Sequence, residues 1–322
     1  MAVEGKEEFE AASGPPAVRY IEVGEEEAGQ RLDNYLLARL KGVPKSRIYK
    51  VIRGGEVRVN SKRIEAAYRV VAGDRIRVPP IRVAEREEAA SAAPHRKLPV
   101  LFEDEAILAL DKPAGLAVHG GSGVAHGVIE SLRAMRPEAK FLELVHRLDR
   151  ETSGVLLLAK KRSALVALHE MLRGHDVDKR YLAGVAGRFR NERQRVRLAL
   201  AKRVNDSGDK RVSVSEDGQE AETIFRLVER GAEYSLLEAE LLTGRTHQIR
   251  VHLAAIKHPI LGDDKYGDFE RNRQLRKLGL KRMFLHAAKL SFAHPLTGAA
   301  LTLEAPLPAD LASFRDRCIR TS

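Results

Sequence analysis

Between residues 31 and 80 the apolar positions switch from one period to another. Leu32, Tyr35, Leu36 and Leu40 recur at helical spacing, and Ile48, Val51 and Ile52 mark a second short helix. Ser46 is placed to cap that helix and Gly54-Gly55 to stop it. Past the glycines the pattern alternates: Val57 and Val59, a turn at Asn60-Ser61, then a last strand with Ile76 and Val78 ahead of Pro79-Pro80. From residue 98 strand-like and helix-like stretches interleave. Leu108-Ala109-Leu110 predicts a strand running into the turn Lys112-Pro113-Ala114-Gly115, Leu142 to Val145 a second strand, and Val155 to Ala159 a buried run. Ser163 is placed to cap an amphipathic helix with Leu165, Leu168, Met171 and Leu172 inward. Tyr181 to Val185 reads as a strand. Ile249, Leu253 and Ile256 form a helical stripe that leaves His247 and Arg250 on a neighbouring face. Leu285 to Phe292 and Leu301 to Ala305 read as a hairpin around Pro295-Leu296-Thr297-Gly298. The elements predict an α+β fold: a mixed, mainly antiparallel sheet with helices packed on it, behind a small N-terminal α/β module.

The 322 residues, 43% of them hydrophobic, are enough for two domains with real cores. Residues 1–19 form an acidic tail expected to be disordered, 20–82 the small module, 83–97 a charged and Ala-rich linker, and 98–322 the larger domain. Charge sharpens this division. The net charge is +11, and residues 31–80 alone hold 13 basic and four acidic residues. So dense a basic surface is the footprint of a phosphate-binding module, which makes nucleic acid the leading partner. Lys45, Arg47 and Lys50, on and before the second helix, would face phosphates. The absence of Trp beside seven Tyr and nine Phe argues against a reader that stacks bases on several aromatic platforms.

Other classes are disfavoured. One cysteine, Cys318, allows no internal disulfide and no Cys-based zinc cage, which fits a reducing cytosol. The longest apolar run, Val155 to Ala159, is about a quarter of the ~20 residues of a membrane span, and the N-terminus lacks the basic and apolar regions of a signal peptide. A cytoplasmic protein without membrane contact is expected. No HExxH accompanies the 11 histidines; His247 and His252 are five apart and His169 and His175 six apart, so zinc is not expected. Gly120, Gly121 and Gly123 without a following GK[ST] read as a turn rather than a nucleotide loop.

The segment His146-Arg147-Leu148-Asp149-Arg150-Glu151-Thr152-Ser153-Gly154 lies between two apolar strands, where a scaffold can hold chemistry rigidly. On extended backbone Arg147 and Asp149 would share one side, with Leu148 and Arg150 on the other. An Arg and an Asp so close commonly form only a surface ion pair. Asp149 and Glu151 could mimic a glycosidase pair, but such pairs usually come from separate elements.

All nine residues of that segment resemble the signature of the RluA-type pseudouridine synthases. Three further segments resemble other motifs of that family in the right order. These are Lys112-Pro113 with Gly115 and His119-Gly120-Gly121, then Asp178-Lys179-Arg180-Tyr181, then Leu241 to Leu253 followed by His258 to Asp263. The N-terminal module resembles an S4 RNA-binding domain. The resemblance implies isomerisation of uridine to pseudouridine in large-subunit ribosomal RNA or its assembly precursor, within the group acting at uridines 955, 2504 and 2580. It also implies a monomer that uses no metal or organic cofactor. By resemblance Asp149 is the catalytic residue, Arg250 pairs with it, Tyr181 stacks on the uracil, and Arg147 fills the space left by the flipped base. Lys112, Pro113, Arg245 and His247 then belong to the substrate-binding surround. The chemistry is consistent: a carboxylate in a dry pocket needs a cation to stay ionised, and a planar guanidinium can both stack and grip phosphate. Two alternatives are a non-catalytic RNA-binding or assembly factor, and an S4-bearing methyltransferase, for which a Gly-rich strand-to-helix turn is lacking.

Overall fold

A computed structural model describes residues 18–40, 43–81, 97–120, 126–204 and 210–320. The chain divides into two units, Met1–Ser91 and Ala92–Ser322. Most of the predicted tail and of the predicted linker lies outside the described residues. Arg19, assigned to the tail, instead opens the first strand, where it faces Val78.

In the first unit β1 (Arg19–Glu22), α1 (Leu32–Arg39), α2 (Lys45–Arg53), β2 (Arg58–Val59), β3 (Lys62–Arg63) and β4 (Arg75–Val78) build two layers. The sheet order is β1-β4-β2-β3, every pair antiparallel, so the described residues of the module contain no parallel βαβ unit. Leu32, Leu36, Ile48, Val51 and Ile52 from the helices close one core with Val57, Val59, Ile76 and Val78. Asn60 and Ser61 both adopt positive φ, the geometry of a tight hairpin turn whose twist matches its strands. Ser46 does not cap α2. The helix starts two residues earlier, at Lys45 behind Pro44, whose fixed φ suits the position, and Ser46 falls within the first turn.

The second unit is one ten-stranded sheet with helices on both faces. It begins with β5 (Val100–Glu103), β6 (Ile107–Lys112), α3 (Val128–Met135), β7 (Glu143–Leu144), β8 (Ser153–Ala159), α4 (Arg162–Gly174) and β9 (Asp178–Ala186). Next come β10 (Arg193–Arg197), β11 (Leu200–Val204), β12 (Lys210–Val214), β13 (Glu222–Arg230), β14 (Tyr234–Leu241) and α5 (Gln248–Ala255). The unit closes with α6 (Phe269–Lys277), β15 (Leu285–Ala293), β16 (Ala300–Glu304) and α7 (Ala309–Cys318). The main path is β10-β13-β14-β9-β15-β8-β6-β5; β16 pairs with β15, β7 with β8, and β11 with β12 as a separate ribbon. Only β15–β8 is parallel among the named pairs. The architecture is therefore α+β and mainly antiparallel, and the β15–β16 hairpin lies around the turn where the sequence placed it.

Burial on both faces explains the apolar runs Ile107 to Leu110 of β6 and Val155 to Ala159 of β8. Ile107 and Ala109 face Leu168 and Phe292 on one side, while Leu108 and Leu110 face Ile129 and Leu132 on the other. Two local expectations were wrong. The strand expected over Leu142 to Val145 shrinks to Glu143–Leu144, because Val145 and the residues after it turn away into a loop. Ser163 lies inside α4, which starts at Arg162 with Lys161 in the cap position and no side-chain cap.

Candidate active site

Between β7 and β8 the chain makes the loop 145–152, held by bonds that the motif itself supplies. The Leu157 N–H donates to Nε2 of His146 at 3.1 Å, so that nitrogen is an acceptor and the ring neutral; burial lowers its pKa to about 4. The Thr152 N–H donates to the Asp149 carbonyl, which closes a turn at the middle of the segment. Since the backbone turns here, Leu148 and Arg150 do not share a side: Leu148 is buried and Arg150 exposed. Arg147 and Asp149 do both line a cleft of about 670 Å³, together with His146, Lys179, Tyr181 and Arg250.

Beneath the loop lies Lys112, fully buried. Its Nζ donates to the carbonyls of Pro113 (2.9 Å), Leu116 (2.8 Å) and Arg150 (3.1 Å), using all three ammonium protons. Burial lowers its pKa to about 8 against the pull of Glu151 and Asp149. Lys112 and Pro113 are therefore not walls of the cleft: the lysine fastens the 113–116 turn to the Asp149 loop, and Pro113 faces solvent. Residues 121–125 of the adjoining glycine turn lie outside the described residues.

Arg250, on the first turns of α5, reaches the loop from 101 residues away. Its Nη1 donates to Oδ2 of Asp149 at 2.9 Å. Its Nε and Nη2 form a bidentate pair with Asp263, both at 2.8 Å, and its guanidinium lies 5.0 Å from the centre of the Tyr266 ring. Asp263 is wholly buried and also accepts the N–H groups of Lys265 and Tyr266. Burial works against both charges, but their mutual contact prevails: the pKa of Asp263 is lowered and that of Arg250 raised. Arg250 is thus an immobilised cation with one free edge, which it presents to Asp149. Asp263 and Tyr266 did not emerge from the sequence reading as site residues, since an Asp and a Tyr in a Gly-flanked turn look like ordinary turn chemistry.

His247 precedes α5 with φ of 55°, a strained setting for a residue with a Cβ. Its Nδ1 lies 2.8 Å from the Tyr266 hydroxyl, which also accepts the Val212 N–H. The phenol proton therefore goes to Nδ1, leaving Nε2–H aimed at Asp149 Oδ1, 3.8 Å away. Burial lowers the pKa of His247. The loop before it is clamped by Gln248, whose Oε1 accepts from Thr243 Oγ and the Arg245 N–H while its Nε2 donates to Glu222 O and Thr223 Oγ. Arg245 stays exposed at the mouth, its Nε on the Glu220 carbonyl.

Strand alternation on β9 turns Lys179 and Tyr181 to the cleft, while Arg180 faces away to pair with Asp178, Glu238 and Glu240. The Tyr181 hydroxyl is held protonated by burial and by the nearby Asp149 charge. Arg147 is exposed and has no ion pair or hydrogen bond among the described residues. The predicted groups Asp149, Tyr181, Arg250, Arg147, Arg245 and His247 thus meet at one cleft. Lys45 and Lys50 are exposed and Arg47 half-buried on α2 in the first unit. Among the described residues no group of three or more His, Cys, Asp or Glu side chains could hold a metal ion, and no helix is long and apolar enough to cross a membrane.

Comparison with known proteins shows the family. A family model described as RNA pseudouridylate synthase matches residues 106–255, and one described as S4 domain matches residues 30–76. Ribosomal large subunit pseudouridine synthase C of Salmonella typhimurium is 54% identical over 299 residues, 91% of this chain and 94% of that protein. Its namesake from Escherichia coli K12 is 53% identical over 312 residues, 95% and 97% of the two chains. The solved structure of human RNA pseudouridylate synthase domain containing 4 matches with a TM-score of 0.56 at 29% identity, covering 68% of this chain and 92% of that one. The chain belongs to the RNA pseudouridine synthase family and carries an S4 domain ahead of its catalytic unit.

Proposed function

We propose that this enzyme isomerises uridines of large-subunit ribosomal RNA, or of its assembly precursor, with Asp149 as the catalytic carboxylate. The observation that carries the reading is the 2.9 Å contact between Asp149 and an Arg250 already locked by Asp263, at the floor of a cleft that Tyr181 also lines. The name shared by the relatives from Salmonella typhimurium and Escherichia coli supports the ribosomal substrate.

The reaction breaks the N1–C1′ bond, turns the uracil and forms a C5–C1′ bond. C5 gives up its hydrogen as a proton and N1 gains one, so nothing is added overall. A base within folded RNA must first leave its stack, at a cost of a few kcal/mol. Tyr181 offers the extruded uracil a face, and Arg147, whose side chain has no ion pair or hydrogen bond among the described residues, takes the vacated place or a flanking phosphate. Arg250, held in place by Asp263, keeps a positive charge against the Asp149 carboxylate. Within the ribosomal RNA the targets are those of the 955, 2504 and 2580 group.

Release of tritium from 5-labelled uridine in large-subunit ribosomal RNA tests the reading. The enzyme releases it, and Asp149→Asn binds the RNA but releases none. Absence of release with the unaltered enzyme, or release that survives Asp149→Asn, overturns it. Mapping pseudouridines after deletion of the gene tests the target set, which is wrong if those three positions stay modified.

A further inference from the structure

α1 and α2 cover one face of the first unit's sheet. Strand alternation puts Tyr20 of β1, Arg58 of β2 and Arg75 and Arg77 of β4 on the other face, around a hollow of about 610 Å³. Tyr20 stands opposite Arg77, and Arg77 opposite Arg58. Like charges on directly facing strand positions destabilise a sheet. Glu22 stands opposite Arg75, yet among the described residues none of the three guanidiniums forms an ion pair. Glu56 lines the hollow, yet it is its carbonyl that receives Arg77 Nη1, at 2.7 Å. Arg58 Nε leans on the Gly55 carbonyl at 3.4 Å, and the Arg75 guanidinium carbon lies over the Tyr20 ring, 4.3 Å from its centre. Tyr20 is itself 57% exposed, an unusual place for a large ring unless it has something to hold.

The groups are thus oriented by backbone carbonyls and a ring, with most N–H edges unused. Oriented, unneutralised guanidiniums are suited to bidentate binding of phosphate oxygens. We infer that the outer face of this sheet is a second RNA-backbone site, in which Arg58, Arg75 and Arg77 grip successive phosphates of a strand other than the one met by Lys45, Arg47 and Lys50 on α2. The inference rests on RNA being the partner. The repulsion between the arginines is the cost of keeping the site charged when empty. Binding there is indifferent to base sequence, because every contact is to the backbone.

The test uses the full chain and the triple variant Arg58→Gln, Arg75→Gln, Arg77→Gln. A charge-matched control carries Lys140→Gln, Lys277→Gln and Lys281→Gln, three exposed lysines of the second unit. Affinity is measured against salt on large-subunit ribosomal RNA and on a mixed-sequence single-stranded RNA. The sheet variant has a log–log salt slope about two units shallower on both RNAs, at ~0.7 per phosphate released, and the control a smaller change. Its melting temperature is no lower than that of the unaltered chain. If the triple does not fold, each single variant lowers the slope by roughly 0.7. A slope equal to the control's on both RNAs overturns the site. Tritium results are independent of this outcome: a chain that shows the slope difference but releases no tritium refutes the proposed reaction and leaves the sheet site standing.

Discussion

Arg250 shows how one side chain can be needed for both stability and chemistry. It neutralises Asp263, which has no exposure, and shares its remaining edge with Asp149. Arg250→Met leaves a buried carboxylate unpaired and is expected to cost ~3–5 kcal/mol in urea unfolding. Adding Asp263→Asn removes the stranded charge and recovers part of that stability, while tritium release stays absent because Asp149 still lacks its cation. Arg250→Lys is also expected to fail, since a point charge cannot hold a bidentate pair and reach a third oxygen. Lys112 is a second case. Lys112→Met deprives three carbonyls of their donor, at ~1–3 kcal/mol for each left unsatisfied. Its pKa is lowered by burial to about 8 from 10.5. Between those values the unfolded chain binds a proton that the folded chain has released, so this residue's contribution to stability rises with pH across the window. The difference between unfolding free energies of the unaltered chain and Lys112→Met, followed from pH 7 to 10, shows that rise if the assignment is correct.

At the scale of elements, the site depends on how closely β8 and β15 approach. Gly154 has φ of +109°, and a Cβ there would sit 2.1 Å from the Ala287 carbonyl oxygen. Gly154→Ala must separate the parallel pair β15–β8, which also anchors the end of the Asp149 loop. A loss of more than ~3 kcal/mol is expected by chemical denaturation, from strain and overpacking together, with kcat lowered in whatever fraction stays folded. Element type was legible here: strand-like runs marked β6 and β9, the turn Pro295-Leu296-Thr297-Gly298 marked the β15–β16 hairpin, and period 3.6 marked α1, α2 and α4. The helix starts were not. Serines at 46 and 163 suggested caps, but the backbone entered each helix two residues earlier, since a capping serine is a preference of about 1 kcal/mol that packing readily overrides. The Lys112-Pro113 turn matched a motif, but only its burial shows that the lysine fastens loops together and lines no wall.

For the whole molecule, acid sensitivity follows from histidines folded in neutral form. His146 is lowered to about 4, and His247, His252 and His286 are also lowered, in each case chiefly by burial. Between about pH 6.5 and the folded values the unfolded chain takes up protons that the folded chain refuses, so stability falls as pH drops through this range. Thermal unfolding at pH 7 and pH 5 is expected to show the decline, and His146→Gln to flatten it; a flat profile would contradict the neutral assignment. What the chain determined by itself was whatever depends on near neighbours: element periods, the basic density of residues 31–80, and the four ordered motifs that bring Asp149, Tyr181, Arg147 and Arg250 into one family pattern. Tertiary structure alone decided that Arg250 is shared between Asp149 and Asp263, that Tyr266 sets the tautomer of His247, and that four residues scattered from 20 to 77 make one basic face. Periodicity reflects covalent geometry repeated along a few residues, whereas an ion pair across 101 residues depends on how every intervening element packs.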